Sequence, residues 1–409
     1  MGKKIIRAAT IGMSLNIFCK GLLRELTDEG YDVVAVSSPD SDLKELGERE
    51  GVKTVGVAME RRMSPLKDLV SLIRLIRVFR REKPDMVHSM TPKAGLLCMM
   101  AAKMTNVPIR VHTFTGLVWP TATGLMRTVL MMTDKMTCAC ATHVVPEGEG
   151  VKQDLERCIT RKPLKVLGYG NVKGVDLEYW KRSRAMDESG QLTFVFVGRL
   201  VREKGINELV SAFVRLNGQY VNTRLLLVGP YEERLDPVLP ETKRLIDECE
   251  AIEAVGSQKD VRPFYEESHV LVFPSYREGF PNVVIEAGAM DLPSIVTDIN
   301  GSREIIVHQE NGVIVPPRNE AALYEAMERM LTHPEERLRM GQKARKMVAD
   351  RYEQGFVRQC LKDYYKELLK EGEMMRCNRK RNDTDASFGA MEAPDEYLRR
   401  GTDVVTSLD

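Results

Sequence analysis

The chain has 409 residues, a length suited to two or three domains, and its 43% hydrophobic and 29% charged content allows packed cores beneath a charged surface. A net charge of +1 excludes a global pull toward nucleic acid or anionic lipid, so any such attraction has to be local. Eight cysteines without a C-x-x-C pair give no zinc or disulfide framework and suit a reducing cytoplasm, and the apolar run near residues 94–102 is too short to span a membrane.

In chain order, strands are expected at residues 5–11, 33–37, 54–58, 85–88, 109–113 and 142–145. The Lys-rich start resembles a secretory leader, but Arg7 interrupts its apolar stretch, and residues 5–11 read better as a first strand. Gly12, Ser14 and Asn16 follow that strand. They would let backbone approach a phosphate or sugar, or equally make an ordinary turn with Ser or Asn as a helix cap. Residues 65–81 read as a helix with an apolar stripe of Leu66, Leu69, Val70, Ile73 and Ile76, and with Arg74, Arg77 and Arg81 along another face. Such a helix either covers a sheet with its cations solvated or meets anionic lipid, helped by Arg61 and Arg62; both hold if the apolar face packs inward. Gly168, Gly170 and Gly174 interrupt the pattern without the spacing of a dinucleotide fingerprint. They mark a flexible connection or a close backbone approach.

A second strand series is expected at 193–197, 224–228, 269–273, 294–297 and 313–315, each strand followed by helix-forming sequence. Two βα arrays with parallel sheets make a two-domain α/β protein. After the first strand of the second array, Arg199 and Lys204 flank a helix start; alone, they read as solvated cations. After residues 270–275 comes Glu278, then Gly279, Phe280, Pro281, Asn282 and Val283 at a second helix start, with Glu286 inside that helix. Free N–H groups at a helix start attract anions, and ligands sit at the carboxyl edge of such sheets. Carboxylates beside a phosphate site accept hydrogen bonds from hydroxyls. Cations and helix starts for phosphate, next to Glu278 and Glu286 for hydroxyls, describe a sugar nucleotide. Asp40-Ser-Asp42 and Asp383-Thr-Asp385 match a D-x-D metal pattern, but so short a motif arises by chance, and no metal or other cofactor is expected.

The segments Phe196-Val-Gly-Arg-Leu-Val-Arg-Glu-Lys-Gly205 and Pro274-Ser-Tyr-Arg-Glu-Gly-Phe-Pro-Asn-Val-Val-Ile-Glu-Ala287 resemble retaining glycosyltransferases of family 4. The similarity continues through residues 297–304 and 311–317. Residues 64–69 and 88–95 are similar to the bacterial branch that builds capsule, O-antigen and other lipid-linked glycans. The resemblance runs from about residue 4 to residue 369. It implies a GT-B fold: an acceptor domain at 1–170, a sugar-nucleotide domain at 171–351, and a helix at 352–369 that crosses back to the first domain. Residues 370–409, outside the resemblance, are expected to be disordered.

By the same resemblance Arg199 and Lys204 contact a diphosphate, Glu278 holds donor-sugar hydroxyls, and Glu286 holds the ribose. Gly279, Phe280, Asn282 and Val283 complete the donor site. Many family members carry His-Gly on the acceptor side where this chain has Thr115-Gly116; His112, three residues earlier, either substitutes for that histidine or is a core or strand-end residue. The implied activity is transfer of a hexose or N-acetylhexosamine, from a UDP-linked donor, to a polyprenyl-diphosphate-linked saccharide at the inner membrane face. A UDP-sugar 2-epimerase of the same fold and a non-catalytic nucleotide-sugar-binding scaffold are the alternatives.

Overall fold

The computed structural model describes residues 2–60, 63–186, 190–233 and 236–388, with side chains to Met374; Arg61 and Arg62 lie outside the described residues. The first sheet contains β1 (Lys4–Ala8), β2 (Asp32–Ser37), β3 (Lys53–Gly56), β4 (Met86–Met90), β5 (Ile109–Phe114) and β6 (His143–Pro146), in the order β3-β2-β1-β4-β5-β6. All its pairings are parallel. Helices α1 (Gly12–Phe18), α2 (Leu22–Asp28) and α3 (Ser41–Glu50) belong to one face; α4 (Pro65–Glu82), α5 (Pro92–Met104) and α6 (Gly124–Cys140) cover the other, before α7 (Glu149–Cys158). This division follows from right-handed crossovers, because the chain steps one way from β1 to β3 and the other way from β4 to β6.

The second sheet has the order β12-β11-β10-β7-β8-β9. Its first half runs β7 (Leu192–Val197), α8 (Ile206–Gln219), β8 (Thr223–Val228), α9 (Pro240–Glu248), β9 (Ile252–Gly256) and α10 (Arg262–Glu266). The second half runs β10 (Val270–Phe273), α11 (Asn282–Ala289), β11 (Ser294–Thr297), α12 (Ser302–Ile305) and β12 (Gly312–Val315), then α13 (Glu320–Thr332), α14 (Pro334–Tyr352) and α15 (Gln354–Phe388). β7 and β10 are buried along their whole length, as strands covered on both faces must be. β9 is absent from the expected strands. It is an edge strand whose Glu253 and Ala254 are exposed, so its sequence carries no continuous apolar run.

α15 returns to the first domain. Tyr364, Tyr365, Leu368 and Leu369 join the core of the α1–α3 face, and Arg358, Lys362 and Lys366 pair with Glu25 and Glu29. The helix continues to Phe388, past the expected end near Leu369: the apolar period stops there, but the Glu, Met, Arg and Lys residues that follow still favour helix. Residues 389–409, the remainder of the expected disordered segment, lie outside the described residues.

Beneath α15 the Arg7 guanidinium, 1% exposed, donates to the Tyr365 hydroxyl at 2.8 Å and meets His88, whose other ring nitrogen lies 2.7 Å from Thr113 Oγ1. Burial, then the Arg7 charge, holds His88 well below the usual histidine range, leaving a neutral ring able to accept. Tyr365→Ala is expected to destabilise the protein by about 3–5 kcal/mol, because it removes a fully buried ring and one of the Arg7 partners. Tyr365→Phe should lose about 1–3 kcal/mol. Equilibrium unfolding in urea checks both values and their order.

Candidate active site

β7 and β10 are adjacent, pairing Phe194 with Val270 and Val195 with Leu271, while their crossovers leave in opposite directions along the sheet. The loops leaving their carboxyl ends therefore flank a crevice at the switch point. The β7 loop carries Arg199, then a 3-10 turn at Arg202–Lys204 that opens into α8. The β10 loop carries Ser275, Arg277, Glu278 and Gly279 before α11.

Across this crevice Lys204 Nζ contacts Glu278 Oε1, to which Ser275 Oγ also donates at 2.7 Å. Lys204 and Glu278 keep only 15% and 16% of their side-chain surface exposed, so the pair sits in a partly desolvated site. Arg199 is exposed and lies 3.3 Å from Glu203 and 3.6 Å from Glu232; Glu203 also receives Arg277 at 3.1 Å. Ser275 Oγ also reaches the Glu203 carbonyl at 3.4 Å, which joins the expected Arg199, Lys204 and Glu278 in one network around the paired loops. Glu286, buried on α11, accepts from Lys173 at 2.8 Å. Asn282 at the α11 start accepts from Asn171 at 3.0 Å. Pro281 stands at the cap in extended conformation, one position before the helical turn expected to contain it.

The first domain meets these loops through backbone. Arg277 donates to the Leu117 carbonyl at 3.0 Å. A Cβ on Gly279 would lie 2.4 Å from the Thr115 oxygen and 2.7 Å from the Gly116 nitrogen, so only glycine allows the two loops to touch. Thr115 and Gly279 are thus brought together. Phe280 is buried beside Gly170, where a Cβ would meet its ring at 2.8 Å: the glycine string serves close approach. Val283, half-buried, offers its carbonyl to the Tyr265 hydroxyl.

His112, Asn16 and Gly12 are otherwise engaged. His112 is 1% exposed, bonds Ser89 Oγ at 2.9 Å, and is pushed down to about 3 by burial, so it is a neutral, enclosed ring. Asn16 is tied to Arg49 of α3. Gly12 donates to Asp40 at 2.9 Å, and Asp40 also caps α3 by accepting from Leu43. Ser14 is half-buried in the first turn of α1. Asp40 therefore works as a cap, and Asp383 and Asp385 lie outside the residues whose side chains are described. Among the described residues, no group of three or more His, Cys, Asp or Glu side chains is placed to hold a metal.

Two carboxyls escaped the sequence reading. Glu304 accepts from the backbone of Glu149 at 2.6 Å and Gly150 at 3.1 Å, so a side chain from α12 of the second domain caps α7 of the first. Its segment was noted for family likeness, yet nothing local reveals a partner so far along the chain. Glu147, at the end of β6, is 3% exposed. Desolvation, then the charges of Glu278 and Glu304, push it up to about 8. A carboxyl raised in this way stays protonated in the folded state while the unfolded chain ionises, so stability falls as pH rises from about 4.5 to about 8. Glu147→Gln is expected to flatten that part of the thermal stability profile, measured as melting temperature across pH 4–9.

A two-domain α/β protein with paired cations and carboxylates at the switch point of its second sheet has the organisation of a GT-B glycosyltransferase. The comparisons agree: the family profile "Glycosyl transferases group 1" matches residues 181–347, and "Glycosyl transferase 4-like domain" matches residues 15–170. The chain is 31% identical over 388 residues to the capsular polysaccharide biosynthesis glycosyltransferase CapM of Staphylococcus aureus, covering 91% of this chain and 99% of that protein. It is 28% identical over 280 residues to the UDP-Gal:alpha-D-GlcNAc-diphosphoundecaprenol alpha-1,3-galactosyltransferase of Escherichia coli, covering 62% of this chain and 68% of that one. Among solved structures, sucrose-phosphate synthase from Thermosynechococcus elongatus superimposes with a TM-score of 0.76 at 21% identity, over 90% of this chain and 100% of that one, a likeness of fold. The chain belongs to the family-4-like glycosyltransferases and is a glycosyltransferase enzyme.

Proposed function

We propose that the enzyme transfers a hexose or N-acetylhexosamine from a UDP-sugar to a polyprenyl-diphosphate-linked saccharide during capsular or related surface-glycan assembly, with retention of anomeric configuration. The observation that carries this is the Lys204–Glu278 pair, held between adjacent βα loops and facing Thr115–Gly116 of the other domain. In the resting cleft Lys204 and Arg199 are neutralised by Glu278, Glu203 and Glu232. A bound diphosphate would take over both cations, freeing Glu278 for sugar hydroxyls and leaving the ribose hydroxyls to Glu286. The α11 start at Asn282 supplies further N–H donors.

In the proposed step the bond from the anomeric carbon to the phosphate oxygen breaks, and the bond to the acceptor oxygen forms on the same face. The acceptor proton passes to the departing phosphate oxygen. Arg199, Lys204 and the helix start stabilise the charge that develops there. Glu278 orients hydroxyls and makes no covalent bond; a trapped glycosyl-enzyme on it would contradict this step. The acceptor is assigned to the first domain, with Ser14 and Thr115 on that side. The UDP donor and lipid-diphosphate acceptor rest on the activity for which the Escherichia coli relative is named, and the capsular setting on the Staphylococcus aureus relative.

A panel of nucleotide sugars, offered with and without a polyprenyl-diphosphate-linked saccharide, tests the reading by mass spectrometry. Transfer predicts release of UDP together with a heavier acceptor. An altered sugar without acceptor would indicate an epimerase, and binding without change would indicate a scaffold. Among the described residues no helix is long and apolar enough to cross a membrane, so a lipid-borne acceptor would be reached by peripheral contact at the inner face.

A further inference from the structure

α4 is turned the opposite way from the sequence expectation. Ser71, Leu72, Leu75, Val78 and Phe79 form its buried side. The stripe expected to pack inward instead faces out, with Leu66 81%, Leu69 54%, Val70 47% and Ile73 42% exposed; only Ile76 is half-buried. α6 repeats the arrangement: Leu125 is 80%, Val129 36%, Met132 59% and Met136 47% exposed, at the i, i+4, i+7, i+11 spacing of one helical face. α5 packs between the two and completes the layer with half-buried Leu96 and Met100 and exposed Met104. Single exposed leucines are ordinary, but matching outward stripes on neighbouring helices of one layer are not.

The charge around these stripes has one sign. Arg74, Arg77, Arg80, Lys103, Arg127 and Lys135 are exposed on the same three helices. The acids there are Asp68, paired with Lys93, Glu82, buried among Lys4, Lys53 and Arg81, and Asp134, which burial pushes up to about 7. Because each helix starts at the carboxyl end of the preceding strand, Leu66 and Leu125 lie toward the same edge of the sheet as the loop that carries Thr115 and Gly116. Outward apolar side chains interspersed with exposed cations on one layer of helices match a bilayer of anionic lipid: acyl chains for the first and head groups for the second.

We propose that the outward face of α4, α5 and α6 docks onto an anionic phospholipid bilayer, seating the cleft rim at the membrane surface. This rests on the reading that the acceptor is carried by a membrane lipid, and it moves the principal contact from the Arg74, Arg77 and Arg81 side to the Leu and Met stripes.

Flotation of the full chain with vesicles of phosphatidylglycerol and phosphatidylethanolamine tests the surface. The variant Leu66→Ser, Leu69→Ser, Leu125→Ser, Val129→Ser, Met132→Ser changes only exposed positions and is expected to bind at least about tenfold more weakly. Arg74→Glu, Arg77→Glu, Arg81→Glu should weaken binding and reduce its salt dependence, and vesicles of phosphatidylcholine alone should bind poorly. Transfer to a short-chain, water-soluble diphosphate acceptor should be unchanged in the serine variant. Vesicle binding that is equal in the wild type and the serine variant overturns the proposal. So does a wild type that ignores vesicles but forms a dimer that the serine substitutions dissolve, because the face would then belong to a second copy. A wild type that binds vesicles through this face yet transfers sugar to no acceptor, soluble or lipid-borne, upholds the surface and sinks the transfer reading instead.

Discussion

Replacing Lys204 with alanine is expected to lower turnover by a factor of about 10²–10³, the loss seen when one pre-organised charge at a developing anion is removed. Lys204 stands between two demands. In the resting cleft it neutralises Glu278, and in the transition state it would meet the departing diphosphate. Alanine loses the second interaction outright and leaves Glu278 with Ser275 as its remaining close donor, a carboxylate pointed at an anionic leaving group. Lys204→Arg should recover only part of the activity, since a planar fork cannot reproduce a compact ammonium in so tight a pair. Steady-state kinetics with the preferred donor, beside a melting curve for each variant, separates this effect from unfolding. Near wild-type kcat in Lys204→Ala would remove the residue from the proposed chemistry.

Gly279→Ala should cost about 10²-fold in turnover by a different route. The added methyl would sit 2.4 Å from the Thr115 carbonyl oxygen and 2.6 Å from its carbon, both backbone atoms that no rotamer change can move. The two loops must separate, and with them the donor-side residues from the acceptor side. Arg199, Lys204 and Glu286 all lie within the second domain, so affinity for free nucleoside diphosphate should change little while kcat falls. Calorimetric binding of UDP, set against turnover, reads that split. An unchanged kcat would mean that contact between Thr115–Gly116 and Gly279 is dispensable.

The sequence was most legible where a residue's partner is close in the chain or where both sides of an element demand the same chemistry. β7 and β10 are buried on both faces, so their largely apolar runs read as interior strands. β9 sits at an edge with one side wet, and its five residues carry too little pattern to stand out. α4 was legible as an amphipathic helix but not in its orientation. Leu72, Leu75, Val78 and Phe79 form a second apolar stripe beside the first, and which one faces the sheet is decided by α5 and the strands, not by the helix itself.

In the site, Arg199, Lys204, Glu278 and Glu286 could be singled out from their positions after strands and at helix starts, and given roles by the family resemblance. Their partners could not. Lys173 reaches Glu286 across 113 residues, and Arg277 reaches Leu117 across 160, contacts that exist only once distant segments are folded together. Glu147 is similarly silent: a glutamate among glycines reads as surface, and only closure over the end of β6 makes it a buried, proton-retaining group.

Soaking or co-crystallising the enzyme with UDP is the most direct examination of the donor site. The diphosphate is expected within hydrogen-bond reach of Arg199 and Lys204, near the α11 start, with the ribose hydroxyls on Glu286 and Glu278 released from Lys204. A nucleotide seated elsewhere, with the Lys204–Glu278 pair undisturbed, would contradict the assignment of this crevice as the place where the sugar is transferred.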